Sequence, residues 1–224
     1  MPPIKIIGLT GPAGCGKDTV ADLLVAHAGF TQIAFADALR LEVADAFNLS
    51  ASHLMHRSTK EHPMSSLALS HCLAPGFVER MLQHHALAGL DLDAPRSPRQ
   101  IMQWWGTEYR RHQHPCYWIT RVEHEIRALL AQKITPSVVV SDCRNANEVS
   151  MVRDTFGGQL WQITRNGIGV APGAHSSETT GAEFRPDVVL DNSHSPLHLK
   201  IHVLEAIEFQ FQPAPGSIRA RQAA

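Results

Sequence analysis

The tightest constraint in this chain is the run Gly11-Pro12-Ala13-Gly14-Cys15-Gly16-Lys17. It follows the β-branched stretch Ile4-Lys5-Ile6-Ile7-Gly8-Leu9-Thr10, and it precedes Thr19 to Ala28, where Val20, Leu23 and Leu24 recur at helical spacing. Strand, glycine loop and helix in that order give the pattern G-x-x-x-x-G-K its physical meaning. The glycines let successive backbone N–H groups turn inward around a polyphosphate, the helix N-terminus adds positive potential, and the lysine neutralises the outer phosphate oxygens. Gly11, Ala13, Gly14, Cys15, Gly16, Lys17, Asp18 and Thr19 are therefore the candidate nucleotide-binding residues. One position departs from the pattern. Asp18 stands where Ser or Thr normally offers its hydroxyl to Mg²⁺, and the hydroxyl comes one place later, at Thr19. Asp18 holding the ion directly or through water, and Thr19 donating to a phosphate oxygen, both stay open, so no metal ligands are assigned.

A loop of this kind needs a sheet around it, and the rest of the chain supplies the strands. Gln32 to Ala36 reads as a second strand, followed by a helix carrying Leu39, Val43, Ala46 and Phe47 on one side. Further on come a helix over Tyr117 to Gln132, the apolar strand Val138-Val139-Val140, and a helix over Asn145 to Phe156 closed by Gly157-Gly158. A strand from Gln159 to Arg165, a last strand at Val188-Val189-Leu190 and a helix from Leu197 to Phe211 complete the pattern. The expected fold is α/β: an open, mostly parallel five-stranded sheet with helices on both faces and a ligand at the carboxyl ends of its strands. One domain is expected over residues 1–212. Residues 58–95, broken by Pro63, Pro75-Gly76 and Pro95, read as an insertion that serves as a lid or a homodimer contact, and 213–224 read as a flexible tail.

Composition narrows the partners. Twenty Lys and Arg against 21 Asp and Glu give a net charge of -1, so no overall field draws the chain to nucleic acid or to an anionic membrane. Any phosphate must be met by a local cluster. The four cysteines form no C-x-x-C pair, and the 14 histidines show no metal-ligand spacing. The start lacks a signal-peptide pattern and no run of about 18 apolar residues occurs, so a cytoplasmic protein is expected.

Several charged residues fall where such a ligand would lie. Asp142 follows the buried strand and is expected to emerge at the same sheet edge as the glycine loop, with Arg144 two residues on and Glu148 one helical turn later. Arg165 and the stretch His175-Ser176-Ser177-Glu178 flank a glycine-rich segment, Asn166 to Ala174, with the composition of a lid. Ser97-Pro98-Arg99-Gln100 is a well-marked helix start, and Arg99, Gln103, Gly106 and Arg110 then follow at intervals of four, three and four, along one α-helical face. That stripe suits a phosphate, a base edge and a flat ring close to the backbone; a solvated polar face is its plain alternative. Asp37 and Arg40 open the second helix, either reaching a substrate or capping the helix surface. Trp104, Trp105 and Trp118 read first as core residues.

Taken together, these segments resemble the deoxynucleoside monophosphate kinases of tailed phages, within the P-loop nucleoside-phosphate kinases. The likeness runs through Gly8-Leu9-Thr10 and the loop to Asp18-Thr19, Phe35 to Arg40, Arg99 to Gln103 with Gly106 to Arg110, Ser141 to Asn145 with Glu148, His175 to Glu178, and Asp191-Asn192. It implies that Lys17 and its loop bind ATP with Mg²⁺, and that the Arg99 helix, Thr107, Trp118, Asp142, Arg144 and Glu148 surround a deoxynucleotide. The implied reaction carries the γ-phosphoryl group of ATP to that acceptor, with Lys17, Asp142, Arg144 and Arg165 as the catalytic set. A small-metabolite kinase of the dephospho-coenzyme A kinase type, or a nucleotide-binding regulator with little turnover, remains the alternative.

Overall fold

Strand β1 (Lys5–Thr10) is buried at every residue but its first, as a strand covered on both faces must be. In the computed structural model, which describes residues 5–55, 59–84, 89–132, 137–169 and 184–211, β1 lies at the centre of a five-stranded sheet. Its neighbours are β3 (Ser137–Val140) and β4 (Gln159–Thr164); β2 (Thr31–Ile33) and β5 (Val188–Asp191) lie outside them. The order is β2-β3-β1-β4-β5 and every pairing is parallel. Gly8 pairs with Val140, Thr10 with Gln162 and Thr164 with Asp191. The register therefore brings the loops after β1, β3, β4 and β5 to one edge.

The two faces are separated by the strand period of two. Ile7, Leu9, Val139, Trp161, Ile163 and Leu190 point to one side, where they meet Val20, Ala21 and Leu24 of α1 (Lys17–Ala28) and Leu199 and Val203 of α8 (Pro196–Gln210). Burying each of the Val, Leu and Ile side chains among them is worth about 1.5–3 kcal/mol. On the other side, a Cβ on Gly8 would lie 2.9 Å from Cys143 Sγ and 3.1 Å from Val152, so only glycine lets that layer close on β1. The layer is α7 (Ala146–Ser150) with its π-helical continuation Met151–Thr155. Helices thus cover both faces, as expected.

Two boundaries differ from the sequence reading. β2 ends at Ile33, and Phe35 already opens α2 (Phe35–Ala46) after an extended Ala34. The apolar run Ile33 to Ala36 suits a buried strand and a buried helix start equally, which is why pattern alone carried the strand too far. The helix expected over Asn145 to Phe156 is α-helical only to Ser150.

The chain divides into two compact units, Met1–Ile33 with Ile126–Ala224, and Ala34–Glu125. The sheet belongs to the first. The second contains α2, α3 (Ser52–Met55), the 3₁₀ turns Ser65–Leu67 and Leu69–His71, and α4 (Pro75–Gln83). It continues through α5 (Pro98–Gln103), the π-helical Trp104–Arg111 and the first part of α6 (Tyr117–Ala131). The stretch read as an insertion over 58–95 falls inside this second unit. There Phe77 of α4 packs on Trp105 and Tyr109, at 4.7 and 5.5 Å between ring centres. The tail over 213–224 lies outside the described residues. Among the described residues no helix is long and apolar enough to cross a membrane.

Candidate active site

The glycine loop between β1 and α1 is shaped by backbone that side chains would block. Gly11 has φ of 135°, and a Cβ there would stand 2.3 Å from the Ile163 carbonyl oxygen. Cys15 is buried beneath the loop, its N–H donating to Pro12 O at 3.3 Å, and burial pushes its thiol pKa up. Lys17 folds back across the loop, where Nζ donates to the carbonyls of Gly11 at 2.7 Å and Pro12 at 2.9 Å. Burial holds its ammonium below the usual lysine pKa; the neighbouring Arg144 lowers it further, while Cys15, Asp18 and Asp142 act in the opposite sense. Lys17, Arg144, Asp18 and Asp142 thus share one electrostatic neighbourhood at the carboxyl edge of the sheet.

The turn carrying Asp142 and Arg144 is tied down on both sides. Ser141 N–H donates to Ile33 O and Cys143 N–H to Leu9 O, each at 3.0 Å. Glu148, expected beside a substrate, is only 1% exposed. Its carboxylate accepts from the N–H groups of Arg144 at 2.6 Å and Asn145 at 3.0 Å, and from Asn145 Nδ2 at 2.8 Å, forming a capping box at the start of α7. The structure therefore gives Glu148 the task of holding the backbone of this turn. Arg165 is exposed directly after β4, at the same edge. His175, Ser176, Ser177 and Glu178 lie outside the described residues, as does the proposed lid from position 170 on.

Asn192, in the β5–α8 loop, donates from Nδ2 to Cys15 O at 2.9 Å, and a Cβ on Gly16 would come within 2.2 Å of that nitrogen. No local sequence signal marks this contact, because the partners lie 177 positions apart. The Asp191-Asn192 pair at the end of the last strand was the available signal for the residue itself. For a metal, the edge offers hard oxygen donors: the carboxylates of Asp18 and Asp142 and the hydroxyl of Thr19. No group of three His, Cys, Asp or Glu able to hold a metal exists among the described residues. Two carboxylates and a hydroxyl nevertheless suit Mg²⁺, which binds through one or two carboxylates and otherwise keeps water and phosphate oxygens.

In the second unit the expected stripe behaves differently. Ser97 accepts from Gln100 N–H at 3.2 Å and Pro98 stands at the first turn, as the sequence signalled. From Trp104 the helix is π-helical, with less rotation per residue, so spacing counted on 3.6 residues per turn no longer keeps Gly106 and Arg110 in line with Arg99 and Gln103. Arg99 pairs with Glu61. Arg110 donates from Nε to Glu42 Oε2 at 2.8 Å and lies within 4.9–5.5 Å of the ring centres of Trp105, Tyr109 and Tyr117. Glu42, which carried no sequence signal, also accepts from Trp105 Nε1 at 2.9 Å and Tyr117 Oη at 2.5 Å. Gly106 is buried, bordered by Leu39 and accepting from Trp118 Nε1 at 3.1 Å, so the close ring approach is made by the protein's own Trp118. Gln103 and Thr107 are half-buried. Asp37 and Arg40 pair with each other at 2.5 Å in the first turn of α2, whose N-terminus receives no side-chain cap. Trp104 and Trp105 are core residues.

The strand order, the glycine loop after β1 and the charged turn after β3 define a P-loop kinase fold. Among solved structures, TT1252 from Thermus thermophilus shares it, with a TM-score of 0.50, 16% identity and coverage of 95% of this chain and 100% of that one. No family model matches the chain. In sequence it is similar to a protein of Acanthamoeba polyphaga mimivirus named "Putative deoxynucleotide monophosphate kinase", with 27% identity over 198 residues, 84% of this chain and 88% of that protein.

Proposed function

We propose that this protein transfers the γ-phosphoryl group of ATP to a deoxynucleoside monophosphate, giving a deoxynucleoside diphosphate and ADP. The observation that carries the reading is Lys17, held across the glycine loop in one electrostatic neighbourhood with Arg144, Asp142 and Asp18. The similarity to the mimivirus protein supports the choice of acceptor.

An acceptor phosphate oxygen attacks the γ-phosphorus in line, the bond to the β–γ bridging oxygen breaks, and its electron pair leaves with ADP. No covalent intermediate is needed. The backbone N–H groups from Ala13 to Thr19 cradle the phosphates, and Lys17 exchanges its loop carbonyls for β and γ oxygens. Arg144 and Arg165 spread the charge that grows on the equatorial oxygens. Asp142, Asp18 and Thr19 are the residues that would hold Mg²⁺, whose contribution is neutralisation of phosphate charge. The candidates for the acceptor are Arg99, Gln103, Thr107, Asp37 and Arg40, with Arg99 and Arg40 exchanging Glu61 and Asp37 for phosphate; Arg110, held by Glu42, and Trp118, held by Gly106 O, act by shaping that stretch of chain. Glu148 serves by fixing the turn of Asp142 and Arg144.

The test is ADP release with ATP and Mg²⁺ against dGMP, dTMP, dCMP, dAMP, their ribose counterparts and dephospho-coenzyme A, each against a blank without acceptor. Stimulation by one or more deoxynucleotides is the expected result. Stimulation by dephospho-coenzyme A alone would replace the acceptor, and slow release indifferent to every acceptor would replace transfer with nucleotide sensing.

A further inference from the structure

We infer that Asn192 is a positioning residue for the nucleotide's phosphates, acting through the Cys15–Gly16 peptide; this rests on reading the glycine loop as the nucleotide site. The side-chain amide of Asn192 grips the Cys15 carbonyl oxygen at 2.9 Å. A trans peptide points its C=O and the following N–H in opposite directions, and no cis bond is present among the described residues. Holding Cys15 O against the β5–α8 loop therefore turns Gly16 N–H away from that loop, to the side where a phosphate oxygen can accept it. Gly16 adopts φ of 109°, a left-handed conformation, and without the anchor nothing in its own geometry keeps it there, because glycine visits both signs of φ at little cost. The anchor removes that freedom before a ligand arrives.

Asn192 is itself placed with care. Its own N–H donates to Thr164 O at 2.8 Å, which ties it to the end of β4. The next residue, Ser193, donates its N–H to Asp191 Oδ1 at 2.9 Å and its hydroxyl to the same oxygen at 2.5 Å, and its Oγ accepts from Asn166 N–H at 2.8 Å. These contacts hold the Asp191 carboxyl below the usual carboxylate range, the Ser193 hydroxyl being the main cause. The tip of β5, the segment after β4 and the glycine loop are thereby joined through two successive residues, Asn192 and Ser193. Gly16 is required by the same contact, since a Cβ there would come within 2.2 Å of Asn192 Nδ2.

The test uses the full chain and titrates ADP into wild type, Asn192→Ala and Asn192→Leu, with the melting temperature of each measured without nucleotide. Leucine keeps the branched shape of asparagine and removes the donor. Because hydrogen bonds to charged groups are worth about 1.5–3 kcal/mol, a misdirected Gly16 N–H should weaken ADP at least about tenfold in both variants. Melting temperatures within about 3 °C of wild type are expected, since a single part-buried hydrogen bond contributes little to the stability of the whole chain. The KM for ATP should rise while that for the acceptor stays within about twofold. ADP affinity retained in Asn192→Leu would make the residue a packing element, and affinity lost only in step with melting temperature would make it a structural one; either result overturns the inference. A wild type that binds ADP yet phosphorylates no deoxynucleotide would sink the acceptor assignment and leave this inference standing. A wild type that does not bind ADP would sink both.

Discussion

Nζ of Lys17 lies 2.7 Å from the carbonyl oxygen of Gly11, so the last residue of the G-x-x-x-x-G-K pattern closes on its first. With Pro12 O as a second acceptor, the ammonium is aimed over the loop instead of trailing into solvent. On the proposed reading, the ammonium needs only to exchange these two carbonyls for phosphate oxygens, and a charge held that close to where negative charge develops needs little further reorganisation during transfer.

Replacing Lys17 with methionine keeps most of the side chain's length and removes the charge. Turnover should fall by about 10²–10³ or more, the usual cost of one preorganised electrostatic group. Melting temperature should change little, because the ammonium is already penalised by burial. Steady-state kinetics beside a thermal melt check this, and wild-type turnover would refute the role.

Activity should also show an alkaline limb that Lys17 sets. Burial, aided by Arg144, holds its pKa below the ordinary value, so the charged form is lost at a lower pH than for a free lysine near about 10.4. Between the folded and unfolded pKa values the unfolded chain carries more protons, so this group's contribution to stability rises with pH even as activity falls. A log kcat/KM profile of the wild type should bend downward there. In Lys17→Arg, whose guanidinium stays charged, the bend should vanish while overall activity drops. A bend that persists in Lys17→Arg belongs to another group.

The first unit was legible in the sequence because its signals are local. Five strands, their parallel pairing and the position of the glycine loop follow from β-branched runs and from a glycine pattern that the backbone itself demands, as Gly11 and its Ile163 neighbour show. Less was legible where one position suits two roles, where a helix leaves the α register, or where a side chain's partner lies far along the chain. Glu148 sits at the right spacing for a substrate ligand, yet the N–H groups of Arg144 and Asn145 claim its oxygens. The Arg99 to Arg110 stripe assumed an α-helix, and the π-helical register from Trp104 onward undid its phase. Propensity has no term for that register. Glu42 looked like any polar residue on α2 until Trp105, Arg110 and Tyr117 converged on it.

Glu148→Gln should separate the turn from the chemistry. A carboxamide keeps one acceptor oxygen where the carboxylate used two, so one of the N–H groups of Arg144 and Asn145 or the Asn145 amide loses its partner in a buried place. The cost should be about 2 kcal/mol, seen as a fall in melting temperature of about 4–8 °C for a chain of this size. Because Asp142 and Arg144 ride on that turn, kcat should fall further than the KM for ATP rises. An unchanged melt with a raised KM for the acceptor would place Glu148 against substrate after all.

Glu42 offers the sharpest test of the second unit. Its carboxylate is 14% exposed and gathers the indole of Trp105, the guanidinium of Arg110 and the phenol of Tyr117, with Arg121 at 3.7 Å. Removing it in Glu42→Ala leaves Arg110 and two neutral donors without that partner, a loss of about 3 kcal/mol, since breaking a sheltered ion pair leaves the other charge uncompensated. Tyr117→Phe deletes one donor and should cost only about 1 kcal/mol. The two changes share a partner, so the double variant should cost less than their sum. Burial, with Glu42 as acceptor, pushes the Tyr117 phenol up, so its stabilising contribution is complete below the ordinary tyrosine value near about 10 and is lost as pH rises through the higher folded value. Glu42→Gln should bring that ionisation down toward the ordinary range, measured as the loss of one late-titrating tyrosine in an ultraviolet absorbance titration. Tyrosine titrations that match between wild type and Glu42→Gln would show that Glu42 does not govern Tyr117.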